Sequence, residues 1–152
     1  MCGVRQEGVL SPILFAHYIN DIIIKLPQSK LSCHIGNVFV GCIMFVDDLV
    51  LLSASIAMLQ RMIDVCSEEV KYLDISFNVS KSTIIRIGKK FKHVCSNLLI
   101  DNDVLEFSES MKYLGVYLVS GIRCKFDISK QKQNFFLHET MYSLSVVGAM
   151  MK

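Results

Sequence analysis

MFVDDLVLL, residues 44–52, sets two adjacent carboxylates, Asp47 and Asp48, in the most apolar part of the chain. On either side, residues 38–46 and 49–53 are rich in Val, Ile, Leu and Phe, the composition of buried strands. Asp fits poorly inside a strand but tolerates turn geometry. The stretch therefore predicts two strands joined by a tight turn with the acid pair at its tip. Two anions held close repel, and their burial without a counter-charge is costly. A divalent cation removes that conflict. Mg²⁺ takes oxygen ligands and often uses one or two protein carboxylates, with water and phosphate completing its shell. Such a site suits phosphoryl or nucleotidyl transfer, in which two ions about 3.5–4 Å apart stabilise the attacking and leaving oxygens. The plainer alternative is a solvated turn that binds nothing.

Residues 38–59 are long enough to span a bilayer. However, each Asp costs about 2.5–3.5 kcal/mol near the centre of such a helix, and no cation lies within the stretch. No transmembrane helix is expected. The opening MCGVRQEGVL lacks the apolar core of a signal peptide. The six cysteines show no C-x-x-C spacing, so they read as reduced thiols in or near a core. Together these point to an intracellular location. The chain is 52% hydrophobic with mean hydropathy +0.44. That is rich for a soluble domain, and it fits a piece of a larger assembly with surfaces meant to be covered.

Working outward, residues 3–12 read as a loop. Ser11 is a good N-cap, and Pro12 suits the first helical position. Ile13, Leu14, Tyr18, Ile19, Ile22, Ile23 and Leu26 recur at helical spacing until Pro27. After the acid pair, Ser53 or Ser55 caps a second helix running to about Leu73. Asn78 to Lys81 is a turn, Thr83 to Ile87 a strand closed by Gly88, and residues 97–107 a small hairpin. Lys112 to Leu118 reads as a strand broken by Gly115, and residues 126–150 carry weak helical periodicity. The sum is an α+β fold with a mainly antiparallel sheet. Lys81, Arg86, Lys89, Lys90 and Lys92 form one basic run, and Lys112, Arg123, Lys125, Lys130 and Lys132 a second. Such clusters suit a polyanion, although any solvated surface looks similar.

Four segments, in order, resemble the palm of reverse transcriptases, especially those of non-LTR (LINE-type) retrotransposons. They are GVRQEGVLSPILF (3–15), FVDD (45–48), NVSKS (78–82) and KYLGV (112–116). The resemblance implies a palm-like antiparallel sheet packed on two helices. It implies a palm over residues 1–120 and the helical start of a thumb over 121–152. It implies RNA-templated DNA synthesis with two Mg²⁺ ions, Mn²⁺ being a substitute, and an RNA template, a DNA primer and deoxynucleoside triphosphates as partners. Asp47 and Asp48 would be the catalytic, metal-holding pair, with Asp47 the more direct ligand. Arg5, Gln6, Gly8, Ser11 and Lys81 would face nucleotide and template. Tyr113, Leu114 and Gly115 would form the primer grip.

Two departures stand out. Glu7 occupies a position where the family box has Gly, which adds negative charge beside a triphosphate site. The family's third aspartate lies on a strand ahead of the Gly-x-Arg-Gln box, and here that box begins at residue 3. The expectation is a partial domain without fingers, inactive as a polymerase by itself. The rival expectations are a non-catalytic nucleic-acid-binding remnant and a functionless relic of a mobile element.

Overall fold

The structure, a computed structural model, describes residues 11–28, 33–127 and 145–151. Helix α1 runs over Ser11–Gln28, two residues beyond Leu26, the last apolar position of the sequence pattern. Pro27 sits inside its last turn rather than ending it. Ile19, Ile22 and Leu26 are fully buried on one face. Helix α2 spans Ile56–Tyr72, and Ser55 caps it by accepting a hydrogen bond from the Met58 N–H at 3.2 Å. Leu59, Met62, Ile63, Cys66 and Val70 form its buried stripe, the 3.6-residue period expected of a core-facing helix. Lys25 of α1 pairs with Glu69 of α2 at 2.6 Å. No helix among the described residues is long and apolar enough to cross a membrane.

A short hairpin, β1 (His34–Ile35) and β2 (Val38–Phe39), precedes the central hairpin. That hairpin is β3 (Cys42–Phe45) and β4 (Asp48–Ser53). The expected first strand, residues 38–46, is thus divided at Val40–Gly41. After α2, a 3₁₀ turn over Val79–Lys81 leads into β5, Thr83–Ile87. Strands β6 (Leu98–Ile100) and β7 (Asp103–Leu105) form the expected small hairpin. Lys112 to Leu118 is not one interrupted strand but two paired ones, β8 (Ser110–Tyr113) and β9 (Val116–Val119). The reason lies in the turn. Leu114 and Gly115 both have positive φ, 47° and 80°, which is a two-residue reversal. Strand β10 (Lys125–Asp127) extends that sheet, giving the order β10-β9-β8.

The C-terminal part departs from the helical expectation wherever it is described. Ser145–Met151 is strand β11, and it lies in the middle of the main sheet, whose order is β3-β4-β11-β5. It runs parallel to both neighbours, with Ser145 opposite Asp48 and Val147 opposite Thr83. After Ser145 the run VVGAMM is continuously apolar, the pattern common in strands that run parallel to both neighbours. Such a run is easily mistaken for a buried helix segment. The fold is α+β, as expected, but the main sheet is not mainly antiparallel: β11 pairs parallel with both β4 and β5, and only β3–β4 is antiparallel.

Strand alternation divides the sheet's two faces. Leu49, Leu51 and Ile84 face α1 and α2 and join the principal core with Leu98, Ile100 and Leu105. Val50 and Ile85 face the other way and pack with Met111, Tyr113 and Leu118 of the β8–β9 hairpin. The result is three layers: helices, four-stranded sheet, β8–β10 sheet.

Candidate active site

The reversal between β3 and β4 falls one residue earlier than the sequence suggested. Phe45 pairs with Asp48, so Val46 and Asp47 form the loop and Asp48 is the first residue of β4. Val46 has φ 53° while Asp47 is not in the positive region, the pattern of a II′ turn. That first loop position normally favours Gly. A branched side chain there costs about 1–3 kcal/mol. The strain sits at the acid pair, and no composition signal announces it. Both carboxylates are half-buried.

Asp48 lies on the same face of β4 as Val50 and Leu52, the face covered by the β8–β9 hairpin. Tyr113, at the end of β8, reaches that region. Burial raises its phenol above the ordinary tyrosine range, and the charge of Asp48, then of Cys42, adds to the effect. The strained Leu114–Gly115 tip follows directly, with Leu114 exposed.

Sheet register locates Lys81. Ser145 stands opposite Asp48, and two residues further along β11 Val147 stands opposite Thr83. Lys81, two residues before Thr83, therefore enters the sheet at the end where Asp48 lies, about 10 Å away across two strand spacings. Its turn is shaped by Asn78, whose Oδ1 accepts from the Lys81 N–H at 3.2 Å and from the Ser80 hydroxyl at 2.7 Å. So Asp47, Asp48, Lys81, Tyr113, Leu114 and Gly115, spread over 69 residues of sequence, share one end of the sheet. Ser11 is the first residue of α1. Arg5, Gln6 and Gly8 lie outside the described residues. Sequence reasoning missed β11, whose Ser145 backbone lies beside Asp48; its apolar run was the available signal.

The donor set at the turn is anionic and entirely oxygen, which fits a hard divalent cation and not a soft one. Among the described residues no group of three or more His, Cys, Asp or Glu gathers as a metal site. A pocket of about 310 Å³ between α1 and α2, lined by Asp21, Lys25, Glu69 and Tyr72 among others, lies on the helical side. It is not part of this constellation. Cys42 is partly buried, and burial pushes its thiol up to about 11. Cys66 is raised further for the same reason. Neither is a poised nucleophile at neutral pH.

No curated protein and no solved structure matches this chain. A family model does. It is the one described as reverse transcriptase (RNA-dependent DNA polymerase), and it covers residues 1–118. That span includes α1, the acid turn, the Lys81 turn and the β8–β9 tip, the elements whose segments carried the resemblance. With well over half of its length matched, the chain belongs to the reverse transcriptase (RNA-dependent DNA polymerase) family.

Proposed function

We propose that the chain is a palm of the non-LTR (LINE) type, built for RNA-templated addition of deoxynucleotides to a primer 3′-hydroxyl. The observation that carries this is the convergence at one end of the main sheet of the Asp47–Asp48 turn, the Lys81 turn and the Tyr113–Gly115 tip. Asp47 and Asp48 are the residues that would hold Mg²⁺. When bound, the metal pair lowers the pKa of the primer hydroxyl and offsets charge on the leaving pyrophosphate. Lys81 enters at the same end and suits contact with the triphosphate, as a counter-charge or proton donor. The β8–β9 tip places the primer terminus, with the Tyr113 phenol held above its ordinary range by burial and by the charge of Asp48. Arg5, Gln6, Gly8 and Ser11 complete the nucleotide and template side of the reading, with RNA template, DNA primer and deoxynucleoside triphosphate as partners.

Among the described residues no third acid joins the pair, and we expect no sustained synthesis from these 152 residues. Two measurements test the reading. Titration with Mn²⁺, followed by water-proton relaxation, should detect a site that Asp47→Asn abolishes. Primer extension on an RNA template with Mg²⁺ or Mn²⁺ should give no elongation. Absence of a metal site removes the catalytic-turn reading, and robust elongation overturns the expected inactivity.

A further inference from the structure

The two basic runs of the sequence are separated, Lys92 ending one and Lys112 opening the other, yet the fold brings part of each together. The Gly88 N–H donates to the Gly121 carbonyl at 2.8 Å, and the Gly121 N–H donates to the Arg86 carbonyl at 3.2 Å. The Ser120 hydroxyl also donates to the Arg86 carbonyl, at 2.6 Å. Ile87 and Gly121 form a parallel bridge. These contacts seat segment 120–125 beside the start of segment 88–97. Lys89, Lys90 and Lys92 on one, and Arg123 and Lys125 on the other, are all exposed. Neither segment contains an acid. None of the five cations enters an ion pair with a described residue; Lys25–Glu69 and Lys71–Asp101 use other lysines. Glu109 and Asp127 flank the corner without entering either segment.

Arg86, by contrast, has been withdrawn from its run. Its guanidinium donates to the His93 carbonyl and to Cys95 Sγ, and it lies over the Phe107 ring at 4.9 Å. It fastens the basic loop from beneath. Ile122 and Phe126 are 65% and 68% exposed among the cations. Like charges closer than a Debye length of about 8–10 Å repel, and the backbone bonds from Gly88 and Gly121 keep the two basic segments side by side. Held together on a fastened loop, they repel unless a polyanion lies across them.

We propose that Lys89, Lys90, Lys92, Arg123 and Lys125 form one composite contact for the phosphate backbone of a primer–template duplex, separate from the acid turn. Arg86 stands level with Ser53 through β11, five residues up β4 from Asp48. At about 3.3 Å per residue along the strand and two strand spacings of about 4.8 Å across it, Arg86 at the foot of the corner lies about 19 Å from Asp48, between five and six nucleotide steps of one duplex strand at about 3.4 Å each. The exposed Ile122 and Phe126 suit sugar and base-edge contact beside the phosphates. The proposal rests on the polymerase reading but uses none of the residues of the acid turn.

The test is fluorescence anisotropy of an RNA–DNA hybrid of 20 base pairs with the full chain, between 50 and 200 mM salt, a range over which phosphate contacts register as about 0.9 in log–log slope each. Lys89→Ala/Lys90→Ala/Lys92→Ala should flatten the slope by about 2.7, and Arg123→Ala/Lys125→Ala by about 1.8. Arg61→Ala, an exposed position on α2, should leave the slope unchanged, and melting curves should show every variant folded. Steep binding that neither cluster alters overturns this proposal while leaving the polymerase reading intact. A loss confined to one cluster overturns the composite. No binding by the parent chain, or preference for phosphatidylserine vesicles over the hybrid, overturns it as well. The Mn²⁺ titration at Asp47 then reports separately on the acid turn.

Discussion

Replacing Arg86 by Met should loosen the 88–97 loop and lower the stability of the whole chain. Met keeps the apolar stem and deletes the guanidinium. Lost are the hydrogen bonds to the His93 carbonyl and Cys95 Sγ, and the contact over Phe107 at 4.9 Å. Hydrogen bonds from a charged donor contribute about 1.5–3 kcal/mol when buried. This site is only partly buried, and about 1–2 kcal/mol for the pair is the appropriate figure. The cation–π contact adds about 0.5–1 kcal/mol. A total near 2 kcal/mol lowers the Tm of a chain of this length by about 4–8 °C. Thermal melting followed by circular dichroism measures it. Limited trypsin digestion gives an independent readout, since Lys89, Lys90 and Lys92 should be cut faster. In combination with Phe107→Leu, the coupling should be about 0.5 kcal/mol. If Arg86→Met melts within about 1 °C of the parent and trypsin cuts the loop at an unchanged rate, Arg86 is an ordinary solvated cation and the fastening does not exist.

Leu51→Ala, at a fully buried position on the strand that carries Asp48, should cost about 2–5 kcal/mol, read as a lower urea midpoint at unchanged slope. Gly115→Ala, at φ 80°, should cost about 1–3 kcal/mol in the same assay. Ser67 Oγ is buried with no hydrogen-bond partner among the described residues, so Ser67→Ala should stabilise the chain by about 1 kcal/mol. The Tyr113 phenol is raised in the folded state, so its contribution is complete below the ordinary tyrosine range and is lost as pH rises through the folded value. Asp48→Asn should lower that titration, visible as a difference against Tyr113→Phe in the ultraviolet absorbance of phenolate. Cys42 acts with the same sign: stability should fall as pH rises from about 9 through about 11. At about pH 8, Cys124 should alkylate well before Cys42 and Cys66.

Local signals in the sequence proved reliable where chemistry and geometry coincide within a few residues. Ser55 caps α2 because its hydroxyl reaches Met58. Thr83–Ile87 is a strand closed at Gly88, whose φ of 126° a branched residue would not adopt. The acid turn was legible as a turn but not in its register. Asp is the better turn residue, and nothing in composition says that Val46 accepts φ 53°. The β8–β9 reversal failed for the same reason, with Leu114 at φ 47° before Gly115. Nonlocal facts were out of reach. The periodicity of residues 145–151 carries no information about two distant strands that leave a gap between them. Nor does a row of cations reveal which member turns inward: Arg86 and Lys89 look alike until Phe107 is brought beneath one of them.

The position of β11 also fixes an order of events during synthesis. Its two sheet neighbours are complete once Ile87 has been made, yet the strand that joins them ends at Met151. At about 5–20 residues per second, the roughly sixty intervening residues take about 3–12 s to emerge. Throughout that interval the nascent chain presents two open strand edges facing one another, the kind of template that recruits foreign strands. A ribosome that stalls before residue 145 therefore leaves a sticky half-sheet, and the yield of folded product depends on how quickly the seven residues of β11 arrive.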